Sequence, residues 1–149
     1  METEIKKQKL LLVDDNELTR IYFREVFWLH GLEYKYDLTM AENLEQAHEL
    51  ITNPHTRPEI IFLGLVMPIR IGQQTVTTPE AGFNLLRRIK TDPELKDIQV
   101  IIFSAFDNLE YKEKAKSLGA DAYLVKGQNM PQDILQFVQN ILEKNTYAQ

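Results

Sequence analysis

Cysteine is absent from the 149 residues, which removes disulfide frameworks, thiolate nucleophiles and cysteine metal sites together. No apolar run is long enough to span a bilayer, and the segment from Met1 to Lys9 carries charges where a secretory signal needs an apolar core. Cytoplasmic residence without membrane contact is the resulting expectation. An excess of positive charge is missing too: the formal net charge is -5. That gives no global attraction to nucleic acid, and Arg87, Arg88 and Lys90 form only a local basic group. The three histidines, His30, His48 and His55, are scattered and suggest neither a metal cluster nor a phosphotransfer site. Internal repeats and low-complexity tracts are also lacking.

What is present is an alternation. Short apolar runs, rich in β-branched and aromatic residues, alternate with longer amphipathic stretches, the pattern of strands and helices wound on both faces of a parallel sheet. One domain spanning 1–149 is expected, with its core over about 9–144. The first strand runs near Lys9 to Asp14, followed by a helix capped by Asp15 or Asn16 and stopped at Gly31. The stretch from Tyr34 to Met40 alternates as an edge strand does. A second helix from Glu42 to about Thr52 turns Leu44, Ala47, His48 and Ile51 to one face and ends at Asn53-Pro54. Ile60 to Leu63 and Ile98 to Phe103 read as central buried strands. A helix around Phe83 to Lys90, another over Asn108 to Leu118, a strand at Ala122 to Val125 and a last helix from Pro131 to Lys144 complete the series.

One connection is longer than such a fold requires. Residues 69–81 form an expected loop insertion after the third strand, where about 2 to 6 residues would suffice. It reads either as a tolerated surface insertion or as a lid or partner-binding element at the rim.

In a doubly wound sheet, ligands collect beyond the carboxyl ends of the strands. Asp14, Asp15, Gly64, Ser104 and Lys126 all fall there. Adjacent carboxylates at neutral pH need a cation, a lysine or a shared proton. Magnesium serves that purpose where phosphoryl groups are handled, Lys126 could neutralise a phosphoryl oxygen, and Ser104 could donate to another. Taken singly, these are a capping acid pair, a turn-forming serine and a solvated lysine. Their joint arrival at separate strand ends points to a pocket.

With these residues in view, the chain resembles the receiver domain of the two-component response regulators over roughly Lys9 to Lys144. The resemblance rests on Asp14-Asp15, Leu65-Val66-Met67-Pro68, Gly82 leading Leu85-Leu86-Arg87-Arg88-Ile89-Lys90, Thr91-Asp92-Pro93-Glu94-Leu95, Ser104-Ala105 and Tyr123-Leu124-Val125-Lys126. It implies an α/β, flavodoxin-like, doubly wound five-stranded parallel sheet, (βα)5, with strand order 2-1-3-4-5. It also implies a histidine kinase that donates phosphate to an aspartate at the end of the third strand. Here that phosphoacceptor position is Gly64, which has no side chain to attack with or to lend to a metal. Its origin is either natural divergence into a pseudo-receiver or an aspartate-to-glycine variant of a working receiver.

The resemblance further implies a magnesium site formed by Asp15, the absent acid and the backbone carbonyl of Val66, with Asp14 acting through water. Without one charged ligand, Mg2+ binding should be weak and no cofactor tightly held. Gly127 stands where many receivers have proline, and either Gly72 or Gly82 could be the family's loop glycine. Lys126 is expected to pair with Asp14 or Asp15 in place of phosphate, with Ser104 and Tyr123 preserving the relay to the output surface.

The implied function is that of a single-domain signalling module of a phosphorelay. Its partner would be a histidine kinase, a phosphotransfer protein or a separate effector. No catalytic residue is assigned. The aromatic first helix, with Tyr22, Phe23, Phe27 and Trp28, offers a surface either for packing on the fifth helix or for a homodimer. The rival class is an enzyme on the same fold. A flavodoxin-like carrier needs a phosphate loop where Asp14-Asp15-Asn16-Glu17 would repel the flavin phosphate, and a phosphoaspartate-type enzyme needs an Asp-x-Asp motif that is not there.

Overall fold

The computed structural model describes residues 7–127; the expected last helix, from Pro131 to Lys144, lies outside them. Its elements in chain order are β1 (Gln8–Val13), α1 (Glu17–Leu29), a 3-10 turn (Leu32–Tyr34), β2 (Tyr36–Ala41), α2 (Leu44–Thr52), β3 (Ile60–Leu63), β4 (Met67–Ile71), β5 (Gln74–Thr78), α3 (Glu80–Thr91), β6 (Gln99–Ser104), α4 (Leu109–Ser117) and β7 (Ala122–Val125). Five strands form one sheet in the order β2-β1-β3-β6-β7, and every pairing in it is parallel. In chain order these are the second, first, third, fourth and fifth parallel strands, as the resemblance implies.

Burial on both faces explains the near-continuous apolar runs. Leu11, Val13, Ile61, Leu63, Val100 and Ile102 face a core shared with Ala47, Leu86, Ile89 and Ala115 of α2, α3 and α4. Leu10, Leu12, Phe62, Ile101 and Phe103 face the other side, where Phe23 and Phe27 of α1 pack. Each large side chain so buried contributes roughly 1.5–3 kcal/mol. Phe23 meets Phe62 edge-on at 5.0 Å between ring centroids, which seats α1 against β3.

Local signals set the helix ends. The Asn16 side chain accepts from the Thr19 amide and caps α1, while Asn43 does the same for α2 through Gln46. Gly31 adopts φ +67 just past α1, a left-handed conformation that ends a helix. In α2, Ala47 and Ile51 are buried as expected. His48 is exposed, and the half-buried Leu50 joins the core instead, a correction to the expected helix face. An apolar side chain gains more from that burial than an imidazole does.

The larger correction concerns residues 69–81. They are not an irregular loop: β4 and β5 pair antiparallel from Met67↔Thr78 to Ile71↔Gln74, as a two-stranded sheet separate from the main one. Gly72 holds φ +63 at the turn, whereas no non-glycine residue, Gln73 included, has positive φ. Glycine at the first central position is the requirement of a two-residue II′ hairpin turn. Met67 is fully buried and Ile69 packs on the core, which anchors the base of the hairpin.

Candidate functional site

The parallel ladder continues one residue past β1, β3 and β7, and Ser104 is the last residue of β6. The Asp14 amide donates to Ala41 O at 3.0 Å, the Gly64 amide to Val13 O at 2.9 Å and the Lys126 amide to Ser104 O at 2.8 Å. The backbone therefore fixes where Asp14, Gly64, Ser104 and Lys126 begin.

Asp14 is 2% exposed. Its Oδ1 accepts from the Asn16 amide at 2.9 Å, and its Oδ2 lies 2.5 Å from Lys126 Nζ. That second oxygen has no aligned hydrogen bond, so the contact is a charge pairing in which the ammonium approaches off the hydrogen-bond axis. Lys126 is itself 5.5 Å from the Phe103 ring centroid, within cation–π range. Arg20 reaches in from α1, donating to Asp14 O at 2.7 Å and pairing with Glu42 at 3.4 Å. Asp15 is exposed beside them.

Gly64 is buried at the floor of this group. A Cβ built there would lie 3.2 Å from Val13 O and 3.7 Å from Asp14 Oδ2, so a side chain at this position would enter the space next to the buried carboxylate. The two candidate loop glycines have separate places. Gly72 turns the hairpin, whereas Gly82 sits in the first turn of α3 and donates its amide to Leu65 O at 3.0 Å. A Cβ on Gly82 would come within 2.5 Å of Gly64 O and 2.6 Å of Leu65 Cα. Gly82 thus lets α3 close directly on the site floor.

Of the two acids expected to face a cation, Asp14 is buried in this group and Asp15 is exposed next to it in the chain. Among the described residues no group of three or more His, Cys, Asp or Glu gathers anywhere in the way a metal site requires, and one oxygen of Asp14 already faces Lys126. Gly127 beyond the lysine has φ +88 with open space around it.

Ser104 is buried, and its Oγ accepts from the Phe106 amide at 3.1 Å. Tyr123 leans over the same loop and donates its hydroxyl to Phe106 O at 2.7 Å. Burial pushes the Tyr123 phenol up from its ordinary value of 10.0, against the opposing effects of the nearby Ser104 hydroxyl and the Lys112 charge. Phe106 in turn packs on Tyr111, and Tyr111 on Phe83, each at 5.9 Å between centroids. A chain of contacts therefore joins the pocket to α4 and α3. Sequence reading missed Arg20 and Phe106, since Arg20 donates to the main-chain oxygen of Asp14 and Phe106 acts through its own amide and carbonyl. Only the arginine's place one turn into α1, facing the strand end, offered a signal.

The response regulator receiver domain family matches residues 10–139. The chain belongs to this family. It is 32% identical over 119 residues to sporulation initiation phosphotransferase F of Bacillus subtilis, covering 80% of this chain and 82% of that protein. It is 31% identical over 123 residues to the gliding motility regulatory protein of Myxococcus xanthus, of which it spans only 14%. A response regulator structure from Chloroflexus aurantiacus superposes with a TM-score of 0.72 at 24% identity, over 93% of this chain and 99% of that one. The family and the five-stranded sheet place this receiver in two-component signalling. Among the described residues, no helix is long and apolar enough to cross a membrane.

Proposed function

We propose that this receiver acts through protein–protein contact and holds its output surface in one state without phosphorylation at position 64. Lys126 against Asp14, above a floor that carries no side chain, is the observation that supports this reading. The lysine that a phosphoryl oxygen would attract is already satisfied by a buried carboxylate. Tyr123 donates its hydroxyl to Phe106 O, and the Phe106 amide donates to Ser104 Oγ, which links the relay residues to the pocket. Its cognate would be a histidine kinase, a phosphotransfer protein or a separate effector that reads the α4–β7 surface. Asp14, Asp15 and the Val66 carbonyl would hold Mg2+ only weakly. The same behaviour follows whether Gly64 is ancestral or recent.

Acetyl phosphate labelling with intact-mass detection tests the proposal. The native chain should show no stable phosphoryl adduct in Mg2+, while Gly64→Asp should acquire one. An adduct on Asp14 or Asp15 of the native chain would overturn it.

A further inference from the structure

The outer edge of β5 is an unguarded strand. In a two-residue hairpin the residues flanking the turn, Ile71 and Gln74, form a hydrogen-bonded pair, and such pairs alternate with non-bonded ones along the ladder. The register Arg70↔Thr75, Ile69↔Val76 and Pro68↔Thr77 therefore turns the N–H and C=O groups of Thr75 and Thr77 outward, away from β4. Among the described residues, no backbone hydrogen bond from another element meets either residue. On the opposite edge the outward positions are Pro68, which has no N–H, and Arg70, a charge. Both are devices that keep an edge from recruiting another strand. Gln74, Thr75, Val76, Thr77 and Thr78 supply no such device: β5 contains no charge and no proline, three of its central residues are β-branched, and its side chains are almost all exposed.

We infer that β5 is a self-association edge, on which the β5 strand of a second copy of this chain pairs antiparallel about a two-fold axis at Val76. The strand is its own complement. The axis sets Thr75 opposite Thr77 of the second copy and Thr77 opposite Thr75, so every outward donor meets an acceptor and the reverse. Val76 then faces Val76 as a non-hydrogen-bonded pair, the closer of the two pair types. Because Val76 lies across from Ile69 within each hairpin, the joined four-stranded sheet carries an unbroken apolar row, Ile69–Val76–Val76–Ile69. Val76 is 38% and Ile71 60% exposed on that same face, surface that the pairing would partly cover. The net charge of -5 per chain opposes association elsewhere on the surface, whereas this strand contributes none of it. The inference concerns backbone groups of β5, none of them among the residues of the Asp14–Lys126 site, and stands apart from the proposal above.

The absence of cysteine gives a clean test. In the full-length chain, Val76→Cys introduces a single thiol on the axis, and mild oxidation should convert most of it to a disulfide-linked dimer. Ile71→Cys, equally reactive but off the axis, should link at least several-fold more slowly. Sedimentation of the native chain at high micromolar concentration should give twice 17.4 kDa. Thr77→Pro removes one outward N–H without touching the hairpin's own ladder, and Val76→Lys puts a charge on the axis; each should return the single-chain mass with an unchanged circular dichroism spectrum. A monomeric native chain, a dimer indifferent to both substitutions, or equal cross-linking at positions 71 and 76 would overturn the inference.

Discussion

Lys126 is 25% exposed along its side chain, and its partner Asp14 is 3% exposed. The aspartate therefore relies on the lysine more than the lysine relies on it. Lys126→Ala should leave a buried carboxylate with only the Asn16 amide, at a cost of about 1–3 kcal/mol, some of it moderated by water reaching the vacated side. Urea unfolding measures it, and a loss near zero would mean that the pair is a surface contact of little worth. Tyr123 gives a pH signature. Its folded phenol ionises above 10.0 because burial disfavours the phenolate, so the folded state keeps a proton that the unfolded chain releases. Its contribution to stability is thus whole below pH 10.0 and declines as pH rises above it. Phenolate absorbance should show one tyrosine titrating late, and Tyr123→Phe should remove that phase. The pocket acids, Ser104 and Lys126 were readable in the sequence because each ends an apolar run, and a parallel sheet brings such ends together. Phe106 and the carbonyl of Asp14 were not, because a main-chain acceptor has no letter of its own.

Elements show where local signals suffice and where they mislead. The cap at Asn16 and the stop at Gly31 were visible as residue types that favour those positions, whereas the cap at Asn43 went unread because the second helix was expected to begin at Glu42. Asn16→Ala should cost about 0.5–2 kcal/mol in thermal or urea unfolding. Gly82 carries a different constraint: it is a contact, not a turn. With a Cβ 2.5 Å from Gly64 O, Gly82→Ala forces α3 off the loop and should cost about 1–3 kcal/mol, together with chemical-shift changes at Leu65 and Gly64. No periodicity in the sequence announces such an approach. The β4–β5 hairpin went unread for the opposite reason. Its strands lie largely in solvent, so β5 lacks the apolar alternation that marks a strand, and five uncharged polar or β-branched residues resemble a loop. Only Gly72 before Gln73, between Ile71 and Gln74, marked the turn.

At the scale of the whole molecule, the sheet order follows from five parallel strands that each find buried neighbours, and the interposed hairpin leaves that order undisturbed. The Lys126–Asp14 contact spans the sheet from β1 to β7, across β3 and β6, and ties its two halves at the rim. Amide spectra of the native chain should therefore be nearly indifferent to Mg2+ and acetyl phosphate added together. Those of Gly64→Asp should change along β6, α4 and β7, because the new carboxylate would compete for the lysine. A broad response in the native chain would show that the rim is still free to switch.

Met67 and Thr78 stand side by side at the base of the hairpin, so the chain leaves the body and re-enters it at nearly one point. Whatever lies between them is, in effect, a tethered side branch whose length the rest of the protein does not sense. Gly72-Gln73 is accordingly a natural docking port for foreign sequence. An epitope or a small fluorescent module spliced there would ride outside the receiver and report on whatever the β5 edge encounters.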